Sequence, residues 1–134
     1  MRPNRSMPSC TVIPSLPYPE VALAVDWLRE VFGFTLRLRI GEHRAQLNVE
    51  DGAVVITQQD NPDSQGYTSV MVRVEDVNAH YDRALRHGAS ILSPPKDYPY
   101  GERQYTVEDC AGHRWHFSET IADVDPGTWG GTTE

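Results

Sequence analysis

The residues best suited to chemistry lie near the end of the chain, in the run GERQYTVEDCAGHRWHF at 101–117. This run places His113 and His116 beside arginines, acids and aromatic residues around one glycine-containing turn. Imidazole binds zinc, nickel, copper or iron, so one hypothesis is a metal-binding strand and the other is an ordinary hairpin. A separation of three residues points the two side chains to opposite faces of a regular strand. The two histidines therefore need a bulge to bind one ion together.

The pairing of this hairpin predicts which side chains share a face. If residues 109–112 form the turn, His116 lies opposite Tyr105 and Arg114 lies opposite Val107. We interpret the resulting polar face as one that lines a ligand site; the alternative is a face that only contacts solvent. The predicted polar face carries Arg103, Tyr105, Arg114 and His116, and the other face carries Trp115 and Phe117.

Two further groups of residues are candidates for ligand contact. The loop SPPKDYPYGER is rich in proline and aromatic residues, so Tyr98 and Tyr100 are expected to form a rigid stacking surface, unless they only fix the loop. Alternation with apolar neighbours in the first half of the chain predicts that Gln46, Asn48 and Gln58 line the ligand site. Amides, arginines and aromatic rings together suit a polar, planar ligand.

A repeated order of elements must position these side chains. The run VALAVDWLREVFGF has the apolar spacing of an amphipathic helix that ends at Gly33. About 55 residues later VNAHYDRALRHG repeats the pattern and ends at Gly88, with His80 and His87 interpreted as surface or dipole-compatible residues of that helix rather than ligands. One strand-like run precedes each helix and three follow it.

This repeat predicts an α+β fold. Two βαβββ modules in tandem form curled mixed sheets around a shared cleft, and one helix covers each sheet. The expected boundaries are a flexible arm at 1–10 and a single domain at 11–134. Within that domain, module one covers about 11–60, a linker about 59–67, module two about 68–119, and a C-terminal tail 120–134.

Composition excludes several classes of partner. Nineteen acidic residues against twelve basic ones give a net charge of −7, which disfavours nucleic acid. No apolar run approaches the roughly 20 residues that span a bilayer, and the polar start of the chain leads us to expect a cytoplasmic protein without a membrane partner. Cys10 and Cys110 lack a CxxC spacing and are expected to be reduced thiols, although a disulfide stays open.

Three runs, in this order, resemble the vicinal oxygen chelate superfamily, which includes glyoxalase I, the bleomycin-resistance proteins and the extradiol dioxygenases. They are ALAVDWLREVFGF, VRVEDVNAHYDRALRHGA and YTVEDCAGHRWHF, and the resemblance covers residues 11–119. It implies paired βαβββ modules, commonly a homodimer, and in the enzymes a divalent metal held by side chains from the first and last strands of each module. The chain departs from the family at residues 109–112, where Asp-Cys-Ala-Gly replaces a common Asp-Pro-Asp-Gly.

The metal positions that the resemblance implies fall near Ile13, Ile56, Ser69 and His116. Only His116 carries a good metal donor, so we expect no metal site of the family type. An unorthodox site around His113 or His116 stays open. So does the question of whether the modules pair within one chain or between chains.

The resemblance and these departures favour a non-catalytic protein. We expect metal-independent binding and sequestration of a small molecule, such as a planar aromatic antibiotic, a peptide antibiotic or another natural product, by a bleomycin-resistance-like homodimer. The alternative is an enzyme of the glyoxalase or dioxygenase type that uses zinc, nickel, manganese or iron on a substrate with vicinal oxygens. A third reading is a housekeeping dimer whose cleft is vestigial or binds a peptide.

Overall fold

The computed structural model of this chain describes residues 2–60 and 68–132. The chain divides into two compact units, Met1–Thr68 and Ser69–Glu134, and each unit is described by itself. Most of the predicted linker lies outside the described residues. Each unit contains one helix and one four-stranded mixed sheet in the order β-α-β-β-β, which confirms the predicted α+β fold with two tandem modules.

Among its described residues, the first unit contains one helix and four strands. They are β1 (Ser15–Tyr18), α1 (Val21–Phe32), β2 (Thr35–Ile40), β3 (Arg44–Val49) and β4 (Gly52–Gln58). The strand order in this first sheet is β1-β4-β3-β2, with β1 parallel to β4 and the other pairs antiparallel. Helix α1 carries the chain from β1 at one edge of the sheet to β2 at the other edge. This crossover is needed because β1 and β4 are parallel, and a tight hairpin cannot join parallel strands.

Helix α1 covers one face of the first sheet because its apolar stripe matches that face. Val25 and Leu28 of the helix are fully buried, as are Leu47 and Ile56 of the sheet. Full burial of such a side chain contributes about 1.5–3 kcal/mol to folding. Gly33 ends the helix in a left-handed conformation, with φ of 77°. The opposite face of the sheet, called here its helix-free face, carries the alternate residues of each strand.

A bulge in β2 brings one additional side chain, that of Arg37, to the helix-free face. The pairing of β2 with β3 shifts between Leu36 and Leu38, so Arg37 is the extra residue. Leu36 pairs with Leu47, whereas Leu38 pairs with Gln46. The Arg37 guanidinium reaches the helix-free face, where its Nη1 donates to Gln46 Oε1 at 2.5 Å. Bulges commonly redirect a side chain in this way.

The second unit repeats the order of the first. Its elements are β5 (Ser69–Arg73), α2 (Val77–Arg86), β6 (Ser90–Tyr98), β7 (Glu102–Glu108) and β8 (Arg114–Thr120), followed by a short 3-10 helix at Pro126–Trp129. The order in this second sheet is β5-β8-β7-β6, with β5 parallel to β8. Among the described residues, no helix is both long and apolar enough to cross a membrane.

Two carboxylates hold the N-terminus of α2. Asp76 Oδ1 accepts the Ala79 N–H at 3.0 Å, and Glu119 Oε1 of β8 accepts the Val77 N–H at 2.8 Å. A helix N-terminus has unsatisfied N–H groups and a partial positive charge, so both contacts stabilise it. The contact from Glu119 also identifies the face of the second sheet that α2 covers.

The predicted register of the β7–β8 hairpin is wrong by one residue. Tyr105 pairs with Phe117, Thr106 with His116, and Val107 with Trp115. The loop contains three residues, Cys110 to Gly112, because Asp109 already pairs with His113: the Asp109 N–H donates to the His113 carbonyl at 2.9 Å. Gly112 supplies the left-handed residue that such a loop needs, with φ of 84°.

Asp109 fixes this register through its side chain. Its Oδ1 accepts the N–H groups of Ala111 and His113 at 2.9 and 3.0 Å, and its Oδ2 accepts Trp115 Nε1 at 3.0 Å. Both Asp109 and Trp115 are buried. One carboxylate therefore holds the loop and the adjoining strand together, and it places Thr106, rather than Tyr105, beside His116.

Candidate functional site

The helix-free face of the second sheet carries two of the six predicted site residues of that unit, Arg114 and His116. Trp115, Phe117 and Val107 are fully buried on the α2 side. The alternate residues of β5, β7 and β8 therefore share the other face. In register these are Ser69, Met71, Arg73, Gln104, Thr106, Glu108, Arg114, His116 and Ser118.

A hydrogen-bonded polar network crosses the strands at one end of this face. Gln104 Nε2 donates to Ser118 Oγ at 3.0 Å, and Ser118 Oγ donates to Glu102 Oε1 at 2.7 Å. The Tyr100 hydroxyl donates to Gln104 Oε1 at 3.3 Å. The network thus joins β7 and β8 to the loop that precedes β7. Ser118 is buried within it, whereas the half-buried Glu102 and Gln104 can still offer an acceptor and a donor to a ligand.

Beside this network lies a group of aromatic rings in contact, Tyr98, Tyr100 and Trp129, called here the aromatic corner. The rings of Tyr98 and Tyr100 are stacked, with centroids 5.4 Å apart and an interplanar angle of 15°. The Trp129 ring lies 5.2 Å from that of Tyr100. Burial, together with the nearby Tyr98 and Glu102, raises the pKa of Tyr100, so its hydroxyl remains a neutral donor.

Gly101 connects the aromatic corner to the C-terminal tail. Its carbonyl accepts the N–H groups of Ile121 and Ala122 at 2.9 and 3.2 Å. Gly101 has φ of 84°, and a Cβ placed there would lie 2.3 Å from the Ala122 carbonyl oxygen. The close approach of the tail to residue 101 therefore requires glycine. This contact holds the start of the tail against the sheet, so that Trp129 further along the tail can contact Tyr100.

His116 lies in the middle of the helix-free face. Its Nδ1 is 2.9 Å from the Thr106 hydroxyl, which orients the imidazole ring. In register it lies beside Met71 of β5, whose side chain is 61% exposed. Arg114 lies on the same face two residues earlier, as predicted, and pairs in register with Glu108.

Tyr105 and Arg103 do not share the face on which the sequence analysis placed them. Tyr105 is buried under α2, where its hydroxyl lies 2.5 Å from His80 Nδ1. His80 also packs on Phe117, with ring centroids 3.9 Å apart, so it is half-buried between the helix and the sheet rather than fully on the surface. Burial raises the pKa of Tyr105 far above its ordinary value.

Arg103 forms an ion pair at the rim of the sheet. Its Nε lies 2.6 Å from Asp97 Oδ1, and this bond lowers the pKa of Asp97. In register Arg103 pairs with Glu119, which caps α2, so it belongs to the helix-covered side. The one-residue register error explains both misplaced residues, because neighbours along a strand point to opposite faces.

In the first unit, Gln46 and Asn48 lie on the helix-free face as predicted, but Gln58 does not. Gln58 follows the alternation of Ile56 towards the α1 side, and its Nε2 donates to the Pro19 carbonyl at 2.5 Å. Asn48 Nδ2 donates to Thr35 Oγ1 at 3.2 Å. The alternation that begins in β3 therefore does not carry over to the end of β4.

The N-terminal segment at residues 2–10, called here the arm, lies against the helix-free face of the first sheet. The sequence predicts a flexible arm; in the structure Arg37 Nη2 donates to the carbonyls of Arg5 and Met7 at 3.0 and 2.8 Å. Gln46 Nε2 donates to the Ser6 carbonyl at 2.9 Å. Gln46 is only 3% exposed as a result.

The side chains at the family's metal positions do not suit a divalent ion. Ser15 and Met71 are equivalent positions, since each lies five residues before the N-cap of its helix, Glu20 or Asp76. Ser15 pairs with Val55 and Met71 pairs with His116, so the counterpart of His116 in the first sheet is Val55 rather than Ile56. Ile56 is fully buried under α1. Ile13, Val55 and Ser69 offer no strong donor, so His116 stands alone in this set. Across residues 2–60 and 68–132, no cluster of three or more His, Cys, Asp or Glu side chains could hold a metal.

Both cysteines in the chain are thiols. Cys10 is half-buried and Cys110 is exposed in the hairpin loop.

Comparison with known proteins identifies relatives by sequence and by structure. The model of the Glyoxalase/Bleomycin resistance protein/Dioxygenase superfamily matches residues 11–117. The crystal structure of TioX from Micromonospora sp. ML1 is similar to this chain, with a TM-score of 0.73 and 35% identity over 87% of this chain and all of that one. Lactoylglutathione lyase from Agrobacterium tumefaciens shares the fold, with a TM-score of 0.69 and 16% identity over 92% of this chain and 98% of that one.

An uncharacterized protein of Mycobacterium bovis is 31% identical over 90 residues, which cover 66% of this chain and 59% of that protein. The match thus spans less than two thirds of this relative's own length.

Proposed function

This chain belongs to the Glyoxalase/Bleomycin resistance protein/Dioxygenase superfamily, and we propose that it binds and sequesters a small natural product without a metal ion. Fold alone does not decide between binding and catalysis, so the side chains of the site must do so. The observation that carries the proposal is the helix-free face of the second sheet, where stacked rings adjoin a polar network and His116 is the lone strong donor at the family's metal positions.

The aromatic corner suits a planar ligand. Tyr98 and Tyr100 are parallel, so a planar ring system can extend their stack, and each aromatic contact contributes about 0.5–1.5 kcal/mol beyond the area it buries. The polar network lies at the edge of this stack through the bond from Tyr100 to Gln104. Hydrogen bonds at that edge would orient the ligand. The carboxylate of Glu102 and the net charge of −7 favour a ligand with a positive group.

The same face is poorly equipped for the chemistry of the superfamily's enzymes. A catalytic divalent metal needs about three protein ligands, and His116 alone supplies a nitrogen donor at the family positions. Tyr105 is not available as a base, because burial under α2 raises its pKa. These features support sequestration over isomerisation or dioxygen chemistry.

Ligand binding tests the proposal through two variants. A panel of aromatic and glycopeptide antibiotics is titrated into the protein, and tryptophan fluorescence and calorimetry follow binding. Tyr100→Leu, which removes a ring and its hydroxyl but keeps apolar volume, should weaken binding about tenfold or more. The matched control is Leu85→Ala, which truncates an exposed residue of α2 and should leave affinity unchanged. If the intact protein binds no member of the panel, sequestration of aromatic and glycopeptide antibiotics is refuted.

Metal titration separates this proposal from the enzyme alternative. The protein is purified without a tag or chelator and titrated with zinc, nickel, manganese and iron(II). We expect no binding in the micromolar range. One tight site per chain that His116→Ala abolishes would instead favour a metal-dependent enzyme. The proposal also includes a homodimer in the cytoplasm, which sedimentation velocity and cell fractionation test.

A further inference from the structure

A pair of donors on the helix-free face of the first sheet holds three consecutive main-chain carbonyls of the arm. Arg37 Nη2 donates to the carbonyls of Arg5 and Met7, and Gln46 Nε2 donates to the carbonyl of Ser6 between them. Arg37 Nη1 also donates to Gln46 Oε1, which turns the Gln46 amide so that its N–H points at the arm. The two side chains therefore act as one unit that recognises a row of carbonyl oxygens.

The fold brings both donors to the same face of the first sheet. Gln46 lies on an interior strand of the sheet, and the β2 bulge brings Arg37 to the same face. A buried amide and a half-buried guanidinium both require acceptors, because leaving their hydrogens unsatisfied is costly. If the arm moves away, water or the acceptors of a ligand must take the place of its carbonyls.

The arm presents its main chain, rather than its side chains, to the donor pair. Arg5, Ser6 and Met7 all have exposed side chains, with Met7 48% exposed. Each hydrogen bond that the pair donates to the arm ends on a backbone carbonyl. A different molecule with amide carbonyls at peptide spacing can make the same contacts.

The open pocket beside Arg37, of about 720 Å³, is formed mostly by the arm itself. It exists only while the arm is docked, so a ligand that displaces the arm uses the surface beneath the arm rather than this pocket. Among the described charged residues that line the pocket, Arg37 belongs to the sheet, and its guanidinium favours a ligand with oxygen acceptors.

We propose that Arg37 and Gln46 form a binding site for the successive carbonyls of a peptide-like ligand, and that residues 5–7 occupy it as an internal competitor. A ligand must displace the arm, so the arm multiplies the apparent affinity by the fraction of time that the site is uncovered; an arm that covers the site about 90% of the time weakens binding about tenfold. The proposal does not depend on the function proposed above, because the arm is itself a peptide with which the site can be tested.

Removal of the arm and its return as a separate peptide test the site directly. The variant lacks residues 2–9, and the probe is a fluorescein-labelled peptide RPNRSMPS with a blocked C-terminus, followed by fluorescence anisotropy. We expect the truncated protein to bind the peptide, and the intact protein to bind it about tenfold more weakly or worse. Equal affinity of the intact and truncated proteins would overturn the competitor role.

Substitutions in the truncated background identify the donors. Arg37→Met and Gln46→Leu should each reduce peptide affinity about tenfold or more, which is the expected effect of losing hydrogen bonds that involve a charged group. Arg39→Met is the matched control, because Arg39 lies on the same strand as Arg37 but is exposed and pairs in register with Ala45 on the α1 side. A peptide of scrambled sequence should bind within about threefold of the original, since its carbonyls are unchanged. Loss of binding on scrambling would refute main-chain recognition.

Two measurements keep the proposal testable if the truncated protein does not fold. In the full chain, Arg37→Met should release the arm and speed tryptic cleavage after Arg5, whereas Arg39→Met should not. An unchanged cleavage rate in Arg37→Met would show that the donor pair does not hold the arm. Sedimentation velocity of the intact protein and Arg37→Met should give the same oligomeric state; a change would show that the arm serves a contact between chains, which would overturn the proposal.

Discussion

Gly101 and Gly112 have the same backbone conformation in the second unit but different surroundings. Both have φ of 84°, a left-handed conformation that costs an L-residue about 1–2 kcal/mol. A Cβ at Gly112 meets no atom within 4 Å, whereas a Cβ at Gly101 would lie 2.3 Å from the Ala122 carbonyl oxygen. Substitution of each by alanine therefore separates the backbone cost from the cost of the contact with the tail.

The expected magnitudes follow from these surroundings. Gly112→Ala should lower the free energy of unfolding by about 1–2 kcal/mol, the backbone cost alone. Gly101→Ala adds displacement of the tail and loss of the bonds from Ile121 and Ala122 to the Gly101 carbonyl, each worth about 0.5–1.5 kcal/mol. We expect a total loss of about 2–5 kcal/mol. Because the tail carries Trp129, the same change should separate that ring from Tyr100.

Urea denaturation and tryptophan emission measure the two effects. Each alanine variant is compared with the same variant carrying Trp129→Phe, so that the difference spectrum reports on Trp129 alone. In Gly101→Ala the Trp129 emission should shift to the red and become more accessible to acrylamide, while Gly112→Ala should keep the native signal. Equal destabilisation by the two substitutions, or an unchanged Trp129 signal in Gly101→Ala, would refute the role assigned to Gly101.

Three further substitutions test the second unit. Asp109→Ala removes the acceptor for two loop N–H groups and the Trp115 indole, and should lower the free energy of unfolding by about 2–4 kcal/mol in urea; a loss under about 1 kcal/mol would contradict its role in the register. Burial raises the pKa of Tyr105, so its neutral form stabilises the fold below about pH 10, and this contribution to stability is lost as the pH rises further. Tyr105→Phe should therefore flatten the alkaline fall in stability; an unchanged pH profile would contradict this. His116→Ala should weaken binding of any ligand found in the antibiotic panel, measured by calorimetry, and equal affinity would remove His116 from the site.

The two-module fold could be predicted from the sequence because its signals are local. The helical spacing from Val21 to Phe32 and the glycine that follows it depend only on neighbouring residues. The same pattern returns in α2, and a repeat of this kind indicates a unit used twice. The identity of the candidate face in the second sheet was also partly predictable, since Arg114 and His116 both lie there.

The register of the hairpin could not be predicted from strand propensity, because a single residue of loop length changes every pairing in it. A three-residue loop closed by Gly112 and held by Asp109 exchanged Tyr105 for Thr106 beside His116. The sequence contained a signal for this, an aspartate three residues before a glycine, but a four-residue turn fits the same letters. The surrounding packing of Trp115 under α2 decides between them.

Other parts of the site depend on contacts between segments that lie far apart in the chain. The arm meets Gln46 about forty residues later, and the tail brings Trp129 back to Tyr100. Arg37 reaches its position only through a bulge in β2. By itself, the sequence determined the helices, the strands and their repeated order, because periodicity and turn residues act over a few neighbours. Only the tertiary structure decided the strand register, the bulge and the docking of both chain ends, because these depend on which distant groups satisfy one another's hydrogen bonds and apolar surface.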